Sequence, residues 1–204
     1  MCECVAPYGK LDLMTRDELK KEIGAVRRRL YRLRKKMEHP DYKNREEWIE
    51  PSDLTVYSVY REYLSHVIIR FISLGGEYRL GRKEKSDNAF NEKIEEIEQI
   101  IFERGAYCEF WETYCIDLSG KEVRAFFDDG RIESPLYWND KATFLKKLYD
   151  LHIGEWKREY RSLCCDGETW QLTFYYKDDT KREYFGHLAY PYNYDKLLDL
   201  LGVE

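Results

Sequence analysis

From Thr15 the chain takes up a helical rhythm. Leu19, Ile23, Val26, Leu30, Leu33 and Met37 fall three or four residues apart, which predicts an amphipathic helix over about 16–37. Thr15-Arg-Asp-Glu18 is a capping box, in which hydroxyl and carboxylate satisfy each other's backbone amides. His39-Pro40 ends the helix, and 38–51 reads as a polar loop. Ser52 caps a second helix. Its apolar residues Leu54, Tyr57, Val59, Tyr60, Leu64, Val67, Ile68, Phe71 and Ile72 cover nearly the whole circumference. That predicts the most buried helix of the set, stopped by Gly75-Gly76. A third helix is predicted from Ser86 to Gly105, with Phe90, Ile94, Ile97, Ile100 and Ile101 as its stripe.

After Gly105 the period changes to two. Tyr107–Leu118 and Lys121–Phe127 read as strands around a Ser119-Gly120 turn, and Asp128-Asp129-Gly130 is a further tight turn. An extended segment with Pro135 leads to a helix capped by Asn139 or Asp140 and ending near Leu151. Ile153–Arg161 fits either a helical turn or a strand. Asp166-Gly167 then opens a closing hairpin, turned at Asp178-Asp179, and a short Leu-rich helix through Leu201. The order hairpin, proline, Asn/Asp cap, helix occurs twice, over 107–151 and 156–202, as a repeat or as a coincidence of common parts.

The fold class expected is therefore α+β. A three-helix part spans 12–104, and a mostly antiparallel sheet with short helices spans 106–204. The second helix is too apolar to stand alone, so the two parts are expected to share a core.

The closing residues carry one resemblance. Asp166-Gly-x-x-Trp170, the following strand pair, Gly186-x-x-Ala189-Tyr-Pro-x-Asn193 and the last helix resemble the final segment of a set of uncharacterised bacterial and mobile-element proteins. The likeness covers about 40 residues. It implies a domain and carries no assigned activity.

Composition narrows the function classes. Aromatic residues make up 16% of the chain, including 18 Tyr and 5 Trp, residues suited both to a core and to an interface. Net charge is −5, too small to select nucleic acid by itself. No apolar run reaches membrane-spanning length, and the first residues lack the pattern of a signal peptide, so a cytoplasmic protein without membrane contact is expected. Charge is nevertheless uneven. Ten basic side chains face four acidic ones between Arg16 and Glu38, while six acidic face two basic between Asp87 and Arg104. Either these segments pair at their flanks or the basic helix contacts an anionic partner. Consecutive Arg27, Arg28 and Arg29 point in different directions, whereas Arg28, Arg32 and Lys35 or Lys36 can form one stripe.

No reaction chemistry is recognisable. The six cysteines lack zinc spacing; Cys2, Cys4, Cys164 and Cys165 form at most a composite set, and reduced thiols fit better. His39, His66, His152 and His187 sit on different elements, and His187 beside Gly186 is the one to test. Asp128-Asp129, Asp166 and Asp178-Asp179 are explained by turns, with a metal-dependent enzyme as the alternative. No cofactor or metal is expected. The leading expectation is a protein–protein interaction protein using Trp111, Trp138, Trp156, Tyr175, Tyr184, Tyr190 and Tyr192, residue types common at hot spots. Its texture is similar to that of phage and mobile-element inhibitors of host defence, the anti-CRISPR type. The alternative is a nucleic-acid binder using Arg28, Arg32, Lys35 and Lys36.

Overall fold

The computed structural model describes residues 8–42, 51–106, 111–120, 123–127, 140–164 and 166–203. The chain is α+β, and its internal contacts divide it into two units, Met1–Leu80 and Gly81–Glu204. The boundary predicted near residue 105 is thus corrected to Leu80/Gly81, because the segment before it joins the sheet. No helix among the described residues is long and apolar enough to cross a membrane.

In the first unit a 3-10 turn, Tyr8–Leu13, precedes α1 (Arg16–Met37) and α2 (Asp53–Ser73). The predicted capping box is present: Thr15 N–H donates to Glu18 Oε2 at 2.8 Å, and Glu18 N–H to Thr15 Oγ1 at 3.4 Å. Contacts between the helices run in opposite order, Lys36 with Asp53, Arg29 with Tyr60, Glu22 with Tyr63, so the pair is an antiparallel hairpin. Leu19, Ile23, Val26, Leu30 and Met37 pack with Val56, Tyr57, Tyr60, Tyr63, Leu64, Val67 and Phe71 as the buried residues of this pair. Ser52 accepts from Thr55 N–H as the cap of α2, and Gly75 ends it at φ 77°. The expectation of a helix buried all round is corrected. Ile69 and Ile72 remain 65% and 52% exposed, since a hairpin partner covers only one side of a helix.

The second unit is a six-stranded sheet with helices on one face. Its elements are α3 (Arg82–Asn91), β1 (Ile97–Ala106), β2 (Glu112–Asp117), β3 (Arg124–Phe127), α4 (Lys141–Asp150), β4 (Glu159–Arg161), β5 (Glu168–Tyr176), β6 (Lys181–His187) and α5 (Tyr194–Leu201). The strand order is β3-β2-β1-β5-β6-β4, antiparallel except for β4 beside β6. The third helix predicted to reach Gly105 ends at Asn91, and the isoleucines after it form β1. A bulge between Ile97 and Gln99 explains the misreading. It sets Ile97 opposite Tyr176 and Ile100 opposite Phe174, so two residues three apart share one face as they would on a helix. Ser86 does not cap α3; Gly81 does, its N–H bonded to the Glu84 carboxylate.

Alternation fixes the two faces of the sheet. Ile100, Phe102, Tyr114, Ile116, Trp170, Leu172, Phe174 and Tyr184 line the buried face, covered by Phe90, Phe144, Leu148, Tyr194, Leu197 and Leu201. Gln99, Ile101, Glu103, Thr113, Cys115, Gln171 and Tyr175 alternate with them on the opposite face, partly or fully exposed. Hairpins β2–β3 and β5–β6 flank β1 in mirror order, and the helices that follow them, α4 and α5, lie on the same face. A rotation about β1 would exchange the hairpins only by placing their helices on opposite faces, so the two lobes share an order of parts and no superposable symmetry.

The closing motif acts inside this core. A Cβ on Gly186 would lie 2.1 Å from Trp170 Nε1, so the missing side chain is what lets the indole lie flat on β6. That nitrogen donates to the Ala189 carbonyl at 3.1 Å. Asn193 stands at the N-cap position of α5, but its side chain makes no capping bond; its buried amide accepts from Trp156 Nε1 at 2.9 Å and donates to the Leu151 carbonyl at 2.6 Å. Gly186→Ala is expected to cost about 1–3 kcal/mol by overpacking, seen as a lower urea midpoint; an unchanged midpoint refutes the seat. The β5–β6 turn offers a second test. Lys93 at 2.7 Å, then the Thr180 hydroxyl and amide, hold the Asp178 carboxyl down to about 2 from its ordinary 3.8. A depressed carboxyl contributes stability above its unfolded pKa, lost as pH falls through the folded value. NMR titration should place the Asp178 midpoint near 2 and move it upward in Lys93→Gln; a wild-type midpoint at 3.8 refutes the pair.

Candidate functional site

The basic cluster of α1 separates into cations engaged by other side chains and cations that face solvent, among them Arg32, whose Nε donates to the Arg28 carbonyl at 3.3 Å. Arg27 donates to the Tyr78 hydroxyl at 2.6 Å with its guanidinium 4.9 Å from the ring centroid. Arg29 stacks 4.1 Å from the centre of Tyr60. Arg34 is buried with Glu38 at 2.6 Å, an ion pair that is costly to break from one side. Lys36, predicted as part of the stripe, lies about 80° around the helix from Arg28 and reaches Asp53 at 2.8 Å. Arg29 and Lys36 thus tie α1 to α2, Arg27 ties it to the segment after α2, and Arg34 closes an ion pair at the end of α1.

What remains is Arg28, Arg32 and Lys35, all exposed and none with a carboxylate at ion-pair distance among the described residues. At about 100° per residue they fall within an arc of about 60°, and Lys21, two turns earlier, falls within it too. The surface is thus a narrow cationic stripe about 20 Å long on the side of α1 away from its buried residues. The charge balance of the units agrees: residues 1–80 hold 16 basic against 13 acidic side chains, residues 81–204 hold 18 against 26.

The predicted aromatic set forms no comparable surface. Trp156 and Tyr184 are corrected from contact residues to core. Trp156 is buried on the Asn193 amide, and Tyr184 donates to the Ile153 carbonyl at 2.9 Å, with burial pushing its phenol up to about 12. Tyr175 is exposed on the opposite face of the sheet. Trp111 is exposed where the chain enters β2. Tyr190 and Tyr192 are half-buried before α5, with Tyr190 against Tyr194 at 4.8 Å between centroids. Trp138 lies outside the described residues. Sequence could not separate these residues, because a buried Tyr and an exposed one look alike until strand register is known.

Two histidines have partners that spacing did not reveal. His152, in the left-handed region at φ 51°, has Nδ1 2.7 Å from Asp87 Oδ2. The neighbouring Ser86 hydroxyl donates to the Gly154 carbonyl at 2.6 Å and accepts from Arg182 at 3.0 Å. Its proton is committed to a carbonyl and not to the imidazole, so the group is a clamp joining α3, the turn after α4 and β6. His187 Nε2 lies 3.0 Å from the Cys164 carbonyl, to which it donates, and Nδ1 lies 3.0 Å from Thr169 Oγ1. Thr169 pairs with both Gly105 and His187 in the ladders, so the contact is a cross-strand tie within a three-strand register.

The acidic turns are equally local. Asp178 caps its own turn and Asp179 supplies φ 59° there; Asp128 and Asp129 lie outside the described residues. Of the four cysteines considered together, Cys2, Cys4 and Cys165 also lie outside them, and Cys164 is exposed. Among the described residues no group of three His, Cys, Asp or Glu side chains converges as a metal site.

No family model, curated protein or solved structure matches this chain. Sorting the arginines yields a direct check. Arg29→Gln should lower stability by about 0.5–1 kcal/mol through loss of the Tyr60 stack, while Arg28→Gln should stay within about 0.5 kcal/mol of wild type. Equal losses in urea titrations would erase the distinction between cations engaged by other side chains and cations that face solvent.

Proposed function

We propose that this is a binding protein that contacts nucleic acid through the outer face of α1. The observation that carries the reading is the alignment of Arg28, Arg32 and Lys35 on one exposed stripe while their neighbours Arg27, Arg29, Arg34 and Lys36 are used within the fold. Phosphate contact needs this geometry: cations in a row, exposed, and, among the described residues, with no carboxylate at ion-pair distance. Such binding is driven by counterion release, so it weakens as salt rises. Three phosphate contacts give a slope of log affinity against log salt of roughly −2 to −3.

A second reading, a protein partner, draws support from a different surface. Ile69 and Ile72 stand one turn apart and exposed on α2, and an exposed apolar pair on a helix favours a protein contact. That contact would be largely insensitive to salt.

Fluorescence anisotropy with labelled DNA and RNA, repeated between 50 and 200 mM salt, decides between them. Binding with the stated slope is expected for the wild type, and Arg28→Glu with Arg32→Glu and Lys35→Glu should abolish it while preserving the circular dichroism spectrum. Binding that ignores salt, or survives the triple substitution, removes the nucleic-acid reading. A protein contact at Ile69 and Ile72 would be untouched by that substitution.

A further inference from the structure

Among the described residues the most exposed aromatic side chain is Tyr31, at 63%. Its place on α1 gives that exposure meaning. Tyr31 follows Arg28 by three residues, precedes Lys35 by four and adjoins Arg32, so it lies about 60° from Arg28 on the same outer face. Leu19, Ile23, Val26, Leu30 and Met37 turn into the hairpin. Other tyrosines of the unit are occupied: Tyr60 under Arg29, Tyr63 against Tyr8 with its hydroxyl on Glu22, Tyr78 under Arg27. Tyr31 is therefore a flat ring set among three exposed cations.

We infer that α1 is built for single-stranded nucleic acid, with Tyr31 as a stacking platform for an unpaired base and Arg28, Arg32 and Lys35 holding the phosphates on either side. This rests on the reading of the basic stripe given above and narrows it. A duplex keeps its bases stacked on one another and offers a helix surface only phosphates and groove edges. A single strand exposes base faces, and an aromatic ring beside a cationic track takes them regardless of sequence. Arg28 to Lys35 spans about 10 Å, enough for one base flanked by phosphates.

The probes are a fluorescein-labelled 20-mer of thymidine and a mixed-sequence 20-base-pair duplex. Tyr31→Ala should weaken binding of the single strand about tenfold or more, leave its salt slope unchanged and leave duplex binding as it was. Tyr31→Phe keeps the ring and should bind like wild type, which separates stacking from a hydrogen bond of the hydroxyl. Circular dichroism and urea midpoints confirm that each variant is folded. Equal affinity of Tyr31→Ala and wild type for the single strand overturns the inference, as does an equal loss on single strand and duplex. Both results leave the basic-stripe reading standing if the triple glutamate variant has lost binding. If that variant binds like wild type, the stripe and the platform fall together.

Discussion

The second unit depends on the seating of one indole. Trp170 occupies the centre of the buried sheet face, and it can lie there only because β6 carries a glycine beneath it. The same ring packs against Trp156 at 6.3 Å, Tyr160 at 6.1 Å and Tyr194 at 5.1 Å, and its N–H fixes the Ala189 carbonyl just before the chain turns into α5. Asn193 repeats the device one layer away, satisfying Trp156 and the carbonyl that ends α4. Two indole N–H groups, each costly to bury without an acceptor, thereby set where the last helix docks. Trp170, Gly186, Ala189 and Asn193 are the residues of the closing segment that solve this packing problem.

Much of this was legible in the chain. The capping box of α1, Ser52 and Asp140 as caps, the hairpin turned at Asp178-Asp179 and the last Leu-rich helix follow from local chemistry, which the fold does not override. What could not be read depended on partners distant in sequence. A bulge gave β1 the spacing of a helix, and Asn193, though it stands at the N-cap position of α5, turns its amide to Trp156, 37 residues away in sequence. The candidate site divides in the same way. Helix geometry limited the basic cluster to Arg28, Arg32 and Lys35 or Lys36, and the ion pair of Lys36 with Asp53, a partner on α2, then set Lys36 apart from it. The aromatics had no such local rule, and register sent Trp156 and Tyr184 inward.

The two units also divide their chemistry. The second spends its polar side chains on internal ties: Asp87 with His152, Ser86 with Arg182, Thr169 with His187. The first is a two-helix hairpin whose internal ties use four of its cations and leave others facing outward. A cationic surface costs little when the charges sit on long side chains in water, and it retains its attraction for an opposite charge at a distance of about a Debye length.

The order of strands in the sheet has a consequence for synthesis. β1 lies between β2, which follows it at once, and β5, which begins some sixty residues later. As the chain leaves the ribosome, β1, β2 and β3 can pair early, but one edge of β1 and its apolar face stay uncovered. Trp170, Leu172 and Phe174 must emerge to close that edge, and α5 only completes the cover at Leu201. For the roughly sixty residues between β1 and β5 the growing chain therefore carries an open strand edge beside exposed isoleucines, a state that invites pairing with other chains. The helical hairpin, finished before the first strand appears, faces no such wait.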